Sequence, residues 1–263
     1  MYNLKSVVFN KVKSNFPYNL PFFNNKIIDL EAPIIILVGE NGTGKSTFIE
    51  LLNEVLNLFR INMENPYQKD LKELYSLVSK HIKLKYSLMK PKGFFFSAED
   101  FTSYIHYLVK EKNNASAELK RINSSKKSSL SKNLSSMPHN RTINEIDNLY
   151  THDLLKLSHG EAYLSFFNSR VREKELYLLD EPETPLSIQN QLSLNYIINE
   201  GVKNNCQFII ATHSPIIMSL PNAKIYEINN REIKLISYKE IESVNLLKQF
   251  LNYPDSFSKH LYK

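Results

Sequence analysis

The order of apolar and polar positions divides the chain into strands and helices that alternate. Ile34–Val38 is an uninterrupted β-branched and leucine run between Pro33 and Gly39, which predicts a strand buried on both faces. After Lys45 the apolar positions return at helical spacing and predict one buried helix face, made of Phe48, Leu51, Leu52, Val55, Leu56 and Phe59. The pattern therefore predicts a strand, a glycine loop and a helix in direct succession.

The last hundred residues continue this alternation. Short apolar runs at residues 176–179 and 208–211 predict two more strands, and a helix is predicted between them over roughly 187–200. The first 30 residues alternate loosely and contain Pro17 and Pro21, which predicts short antiparallel strands with a proline-bearing turn. Strands that alternate with helices indicate an α/β fold with a mostly parallel central sheet.

The middle of the chain has a different composition. Residues 113–136 contain eight Ser, four Asn and five Lys or Arg, too few apolar groups to offset the entropy of ordering the chain. This composition predicts a flexible basic loop. We predict a single domain in which residues 1–60 and 150–263 form the core and residues 61–149 form an inserted helical lobe that carries the loop.

Composition and charge exclude several classes of protein. An apolar content of 42% in 263 residues is enough for a sizeable core, and the single cysteine, Cys206, excludes a disulfide framework. The longest apolar run is far shorter than the roughly 18 residues that span a bilayer, and the N-terminal residues do not resemble a secretory signal. We therefore predict a cytoplasmic protein without a transmembrane segment of its own.

Glycine is scarce, with six in the chain, yet three of them fall within residues 39–47, GENGTGKST. This segment fits the pattern G-x-x-x-x-G-K-[ST], in which backbone N–H groups at a helix start surround a polyphosphate. In this pattern Lys45 supplies charge to the β- and γ-phosphates, and the Ser46 hydroxyl is a ligand of Mg²⁺. The predicted nucleotide-binding residues are Asn41, Gly42, Thr43, Gly44, Lys45, Ser46 and Thr47.

A second segment, LYLLDEPE at residues 176–183, brings two carboxylates to the end of an apolar strand. In a phosphate site, Asp180 would hold Mg²⁺ through water and Glu181 would polarise the attacking water. Without the glycine loop, two acidic residues before Pro182 are equally typical of an ordinary turn.

Two further segments are weaker when each is taken alone. LSHGE at residues 157–161 places Ser158 and Gly160 at a predicted helix start, which is typical of an anion site and more often of a simple helix cap. ATHSP at residues 211–215 places His213 at a strand end, where a lone histidine is more often structural. The order of all four segments in one chain favours a phosphate site.

Together the four segments resemble the Walker A, signature, Walker B and switch-histidine motifs of the ATP-binding-cassette (ABC) ATPases. The chain is most similar to the small stand-alone ATPases related to RecF, SMC and OLD proteins. These share an FPYNLPFF-like segment, a GFFF-x-AE segment, SHGE and LLDEPE-x-x-LS. The resemblance implies an ATP-dependent homodimer in which Ser158 and Gly160 of one copy close on the γ-phosphate held by Lys45 of the other. It also implies Glu181 as the catalytic base and His213 as a γ-phosphate contact.

The chain departs from the family pattern at several positions. His159 stands where transporter signatures carry a second glycine, and Pro185 stands where small residues are usual. No glutamine follows the strand near residues 94–101, and Glu99 is the candidate in its place. The aromatic residue that would stack on adenine stays open among Tyr18, Phe22 and Phe23.

The function predicted is ATP hydrolysis, with Mg²⁺, driving dimer closure in nucleic-acid maintenance or anti-phage defence through an unidentified effector protein. Residues 110–141 carry eight basic and two acidic residues, an excess that could contact nucleic acid or could be a solvated insertion. Two alternatives are the ATP-binding subunit of a membrane transporter and a non-hydrolysing ATP-gated scaffold. The SHGE segment and the missing glutamine argue against the transporter subunit. Glu181 and His213 argue against the scaffold, because a protein that only binds ATP needs neither.

Overall fold

The computed structural model describes residues 4–61, 66–126, 128–148 and 159–261. In these ranges the strands are β1 (Leu4–Phe9), β2 (Ile27–Asp29), β3 (Ile34–Val38), β4 (Phe59–Arg60), β5 (Ile82–Tyr86), β6 (Gly93–Ser97), β7 (Leu176–Asp180), β8 (Gln207–Ala211), β9 (Ala223–Ile228) and β10 (Ile233–Ile236). The helices are α1 (Lys45–Leu56), α2 (Pro66–Ser79), α3 (Ala98–Ser124), α4 (Ser129–Asn148), α5 (His159–Arg170), α6 (Ile188–Lys203), α7 (Pro215–Met218), α8 (Glu242–Asn252) and α9 (Pro254–Leu261).

A seven-stranded central sheet has the order β10-β9-β3-β8-β7-β6-β4, and all neighbouring pairs are parallel except β10 with β9. Every residue of β3 is buried, because apolar clusters cover both faces of the sheet. The predicted α/β fold with a mostly parallel sheet is therefore confirmed. Parallel pairing also brings the carboxyl ends of β3, β7 and β8 to one edge.

The predicted helix after the glycine loop is shorter than its apolar spacing indicated. α1 ends at Leu56, and Asn57 follows it in the left-handed backbone conformation with φ of 53°. Phe59, which the periodicity placed on the helix, instead lies in β4 and is exposed. The left-handed residue ends the helix, which is a local feature that apolar spacing does not encode.

The N-terminal antiparallel region is a three-stranded sheet in the order β2-β1-β5. The fully buried side chain of Gln207 joins it to the central sheet: its Oε1 accepts from the backbone N–H of Leu4, and its Nε2 donates to the carbonyls of Leu4, Leu30 and Ala32 at 2.8 to 3.1 Å. β6, which falls within the predicted inserted lobe, is a strand of the central sheet. The lobe is thus interleaved with the core.

The flexible loop predicted over residues 113–136 is wrong, because these residues continue α3 and begin α4, which pack together as a helical hairpin. The composition of the segment does not show the spacing of its apolar residues. α3 buries Ile105, Leu108, Ala115 and Ile122, which are spaced as on one face of a helix. Near the tip the Lys132 ammonium donates to the carbonyl of Asn123 at 2.8 Å. The hairpin is therefore ordered by packing between its two helices.

The positive charge of the hairpin is also smaller than the segment 110–141 suggested. Over residues 98–148 there are eight basic and six acidic side chains, because the helices also contain Glu99, Asp100, Glu145 and Asp147, which lie outside residues 110–141. Glu145 pairs with Arg141 at 2.7 Å, and Asp147 pairs with Lys112. Among the described helices, none is long and apolar enough to cross a bilayer.

Candidate functional site

The glycine loop joins β3 to α1 at the carboxyl edge of the sheet. Gly39 has φ of 146°, and a Cβ there would lie 2.1 Å from the carbonyl oxygen of Ile228. Gly44, at the N-terminus of α1, has φ of 100°. These conformations strain other residues, so the sequence pattern reports a backbone requirement. The loop is placed where its N–H groups and the start of α1 favour an anion.

Lys45 is almost fully buried and lies against the loop. Its ammonium donates to the carbonyls of Gly39 and Glu40, each at 2.8 Å. Desolvation lowers the pKa of Lys45, and the nearby carboxylates of Glu181 and Asp180 oppose this effect. A cation held this way is ready to exchange carbonyl oxygens for phosphate oxygens.

Ser46 and Asp180 meet although they are far apart in the sequence. The Ser46 hydroxyl donates to Oδ1 of Asp180 at 3.0 Å. Burial raises the pKa of Asp180 to about 7, with Glu181 and Glu50 contributing in the same direction and the Ser46 hydrogen bond opposing. A hydroxyl and a carboxylate are oxygen ligands that suit Mg²⁺, and a cation would offset the cost of ionising Asp180. The two residues therefore fit the predicted metal position.

Glu181 and His213 extend from adjacent strand ends. The backbone N–H of Glu181 bonds the carbonyl of Ala211 at 2.9 Å, and Glu181 has φ of 46°, an uncommon value outside glycine. Its Oε1 lies 3.7 Å from Nε2 of His213, and both side chains are partly exposed. The carboxylates of Asp180 and Glu181 thus have different neighbours, Ser46 and His213 respectively.

These residues surround one open cavity of about 530 Å³ at the strand ends. Its lining consists of Phe16, Leu20, Asn41, Gly42, Gly44, Lys45, Ser46, Thr47, Glu181 and His213. Thr43 lies beneath the loop, where its hydroxyl donates to the carbonyl of Glu40 at 2.8 Å. The structure thus brings the glycine loop, one strand-end carboxylate and the histidine together around a single space.

The aromatic residues considered for adenine stacking are not exposed. Tyr18, Phe22 and Phe23 are buried, and Phe22 packs against Phe9 and Phe48 with ring centroids 4.7 and 5.2 Å apart. The structure therefore contradicts all three candidates. Phe16 is exposed and lines the cavity instead.

The signature segment is described only in part. Ser158 lies outside the described residues, and α5 begins at His159. Gly160 is buried against α6, where a Cβ would lie 2.4 Å from Nδ2 of Asn190 and 3.3 Å from the carbonyl of Pro185. Gly160 is not among the described residues that line the 530 Å³ cavity. Gly160 therefore does not contribute to the cavity of its own copy.

Sequence reasoning missed the role of Glu183. Its Oε1 accepts from the backbone N–H groups of His213 at 2.5 Å and of Ser214 at 3.1 Å. Its Oε2 and the hydroxyl of Tyr163 are both buried without a hydrogen-bond partner among the described residues. The only signal in the sequence was a third carboxylate beside Pro182, and it could not show which backbone this carboxylate holds.

A larger cavity of about 690 Å³ adjoins the first one through Ser46, Thr47 and Glu181. Glu99, the candidate in place of the usual glutamine, lines this larger cavity together with Asp180 and Thr184. Arg60, also in the lining, bonds Glu50 of α1 at 2.8 Å and Asp100 of α3 at 2.7 Å. Sequence reasoning missed this ion network, which joins the helix after the glycine loop to the hairpin.

Comparisons with known proteins show the family to which the chain belongs. A family profile described as ABC transporter matches residues 30–184. The tungstate uptake system ATP-binding protein TupC of Campylobacter jejuni subsp. jejuni is 26% identical over 253 residues, covering 88% of this chain and 68% of that protein.

Three solved structures have a similar fold. An inward-facing putative metal-chelate type ABC transporter is 21% identical with a TM-score of 0.47, covering 95% of this chain and 90% of that one. The SMC head domain from Thermotoga maritima is 15% identical with a TM-score of 0.44, covering 89% and 99%. The Smc head domain from Pyrococcus furiosus, bound to the C-terminal domain of ScpA, is 12% identical with a TM-score of 0.47, covering 95% and 100%.

The profile match covers more than half of the chain and includes the glycine loop and both strand-end carboxylates. The protein is an ATP-binding ABC domain, and the chain belongs to the ABC transporter family within the ABC-type ATPases.

Proposed function

We propose that this protein hydrolyses ATP at a site that a second copy of the chain completes. The observation that carries the proposal is the 530 Å³ cavity, where the glycine loop meets Glu181 and His213. A protein that only binds nucleotide needs the loop and its lysine. It does not need a carboxylate and a histidine that converge on the same space.

The residues of this chain divide the chemistry as follows. The loop N–H groups and Lys45 bind the β- and γ-phosphates, and Lys45 gives up its bonds to the Gly39 and Glu40 carbonyls to do so. Glu181 orients and polarises the attacking water, and His213 contacts the γ-phosphate. Ser46 and Asp180 would hold Mg²⁺, which when bound neutralises charge on the phosphates.

We place a second copy against the cavity because the cavity is open to solvent. ABC ATPase domains typically dimerise, and Gly160, a described residue near the start of α5, does not line the cavity of its own copy. We assign Ser158 and Gly160 to the nucleotide held by the partner, where a helix N-terminus stabilises the charge that develops on the γ-phosphate.

The Glu181→Gln variant tests hydrolysis and closure together. It keeps the size of the side chain and removes the base, so ATP turnover should fall about 100-fold or more while ATP binding remains. The variant should then accumulate as a dimer in Mg-ATP, measured by light scattering behind a sizing column. A variant that stays monomeric at saturating Mg-ATP contradicts the shared site.

Phe16 is the residue that we assign to the adenine ring. It is the aromatic side chain that lines the cavity, and stacking on a base contributes about 1–3 kcal/mol. Phe16→Ala should weaken ATP binding by about tenfold or more, and Phe16→Tyr should not. If the Phe16→Ala variant weakens binding of inorganic triphosphate by the same factor, Phe16 acts on the loop and not on the base.

The subunit of an uptake transporter is the second candidate for the biological role, and one observation favours it. TupC, the ATP-binding protein of a tungstate uptake system, covers most of this chain at 26% identity. A role in nucleic-acid maintenance or defence rests on the resemblance to RecF and SMC proteins, and the near-balanced charge of the hairpin removes part of its support. Affinity purification from crosslinked cells distinguishes the two roles, since a transporter subunit should retain a multi-span membrane protein.

A further inference from the structure

A stretch of positive charge without acidic residues also lies outside the hairpin. Residues 74–98 contain five lysines and no Asp or Glu. Four of these lysines fall within residues 83–92, which run from β5 to the start of β6 and are called here the lysine tip. All four are exposed: Lys83, Lys85, Lys90 and Lys92.

Ion pairing distinguishes the lysines of the tip from three other surface lysines. Lys5 pairs with Glu31 at 3.6 Å, Lys203 pairs with Glu200 at 2.6 Å, and Lys224 pairs with Asp29 at 2.5 Å. Within the described ranges, no carboxylate forms an ion pair with a lysine of the tip. The tip therefore presents charge that the chain itself does not neutralise.

Two large apolar side chains project between these lysines. Leu88 is 88% exposed and Met89 is 81% exposed, and both lie in the turn that follows β5. The turn is held on both sides, because β5 pairs with β1 and Pro91 is buried. Leu88 and Met89 are thus carried on an ordered support and contribute nothing to the core of this copy.

The strand that leads to the tip has one apolar face and one basic face. Ile82 and Leu84 pack on the core, while Lys83 and Lys85 point outward by the two-residue alternation of a strand. Lys83 pairs across to Val8, which also pairs with Ile27, and Ile27 is 74% exposed. The outer surface beside the tip therefore combines lysines with exposed aliphatic groups.

We propose that the lysine tip docks on a membrane surface that contains anionic phospholipid. Clustered lysines are attracted to such a surface, and Leu88 and Met89 enter the boundary between headgroups and acyl chains. Lysine stems follow apolar surroundings while the ammonium groups remain with the headgroups. This inference goes beyond the proposed ATPase, since the tip shares no lining residue with the nucleotide cavity.

A nucleic-acid partner fits the tip less well. All of the tip's cations are lysines, whereas the planar guanidinium of arginine is preferred for phosphate and base recognition. A phosphate backbone also offers no apolar surroundings for the exposed Leu88 and Met89 side chains, which leave water only when they enter an apolar phase. Charge together with apolar side chains favours the lipid surface.

The absence of tryptophan from the chain gives a direct reporter of insertion. Full-length Met89→Trp is titrated with vesicles of phosphatidylcholine alone and with vesicles that contain about one third phosphatidylserine. Its emission should shift to the blue only with the anionic vesicles. The matched control is Met137→Trp on α4, where Met137 is also exposed, and its emission should not change. An unchanged emission of Met89→Trp contradicts insertion of the tip.

Cosedimentation with the same vesicles tests the charge. Replacing the four lysines of the tip by serine should weaken binding by roughly fivefold for each lysine, and the loss should shrink in high salt. The matched control replaces Lys110, Lys120, Lys126 and Lys132 of the hairpin and should retain most of the binding. Unchanged ATP binding shows that both variants fold. Equal losses in the two variants, or loss of duplex DNA binding without any vesicle binding, overturn the proposal.

Discussion

The carboxyl edge of the central sheet and the α3–α4 hairpin are ordered in different ways. At the edge, Lys45 bonds the loop, Ser46 bonds Asp180, and Glu181 lies 3.7 Å from His213, although the chain separates these segments widely. In the hairpin, two long helices pack mainly on each other, and much of their surface is exposed. The edge is fixed by backbone geometry, and the hairpin is fixed by side-chain spacing along a helix.

The comparison indicates where function and tolerance to change lie. Substitutions at the edge remove contacts that nothing nearby replaces, because each group there has a defined partner. Substitutions on the hairpin surface alter exposed side chains, which usually changes the free energy of unfolding by less than about 0.5 kcal/mol. We therefore expect large effects on ATP binding and turnover at the edge and small effects on the hairpin.

Lys45→Ala should have the largest effect. The variant removes a buried cation that bonds two loop carbonyls and is the predicted partner of the phosphates. ATP affinity should fall by about 100-fold, which corresponds to about 3 kcal/mol. Isothermal titration calorimetry measures it, and Lys126→Ala on the hairpin is the control. Comparable losses in both variants would remove the distinction between the two regions.

Glu183→Ala should have the next largest effect. Its carboxylate fixes the backbone N–H groups of His213 and Ser214, so its loss should lower kcat about tenfold and change KM for ATP much less. Glu183→Gln keeps an acceptor oxygen and should recover part of the rate, which a merely structural defect would not predict. Glu118→Ala on α3 should leave both kinetic constants unchanged.

Asp180→Asn should give a stability effect that depends on pH. The pKa of Asp180 is about 7 in the folded chain, and an aspartate in an unfolded chain has a pKa of about 4. Between these values the folded chain holds a proton that the unfolded chain has lost, so the wild type loses stability as pH rises toward 7. In the absence of nucleotide, Tm of Asp180→Asn minus Tm of wild type should therefore increase from about pH 5 to pH 8. A constant difference would contradict the buried, uncompensated carboxyl.

Shortening the hairpin should have the smallest effect on the nucleotide site. Replacing residues 118–137 by a short glycine–serine turn removes the bond between Lys132 and Asn123 but leaves Arg60, Glu50 and Asp100 in place. ATP affinity should stay within about twofold of wild type, because the deleted backbone is mostly exposed. A larger loss by calorimetry would mean that the tip of the hairpin supports the edge.

The same contrast explains what the sequence could predict. Gly39, Gly44 and Lys45 were recognisable because the loop conformation excludes most other residues, and the strand-end position of Asp180 and Glu181 followed from one apolar run. The helices of the hairpin were missed because the composition of residues 113–136, averaged over serine and asparagine, concealed the helical spacing of Ala115 and Ile122.

Other features depend on contacts that no local pattern contains. Arg60 meets Glu50 and Asp100 only after three elements have packed. Phe16 rather than Tyr18 faces the cavity because of how the intervening turn is folded. Long-range packing of this kind is set by the whole fold, so the sequence left the aromatic residue open among Tyr18, Phe22 and Phe23, all of which are buried.

The most direct test of the shared ATP site is to mix two inactive variants. Lys45→Ala keeps its signature residues but loses its own phosphate site, and Ser158→Arg keeps the phosphate site but blocks the signature helix. In a symmetric dimer that shares sites, a mixed pair contains one intact site, so an equimolar mixture should recover about a quarter of the wild-type ATPase rate. A rate no higher than that of the separate variants would show that each copy works alone.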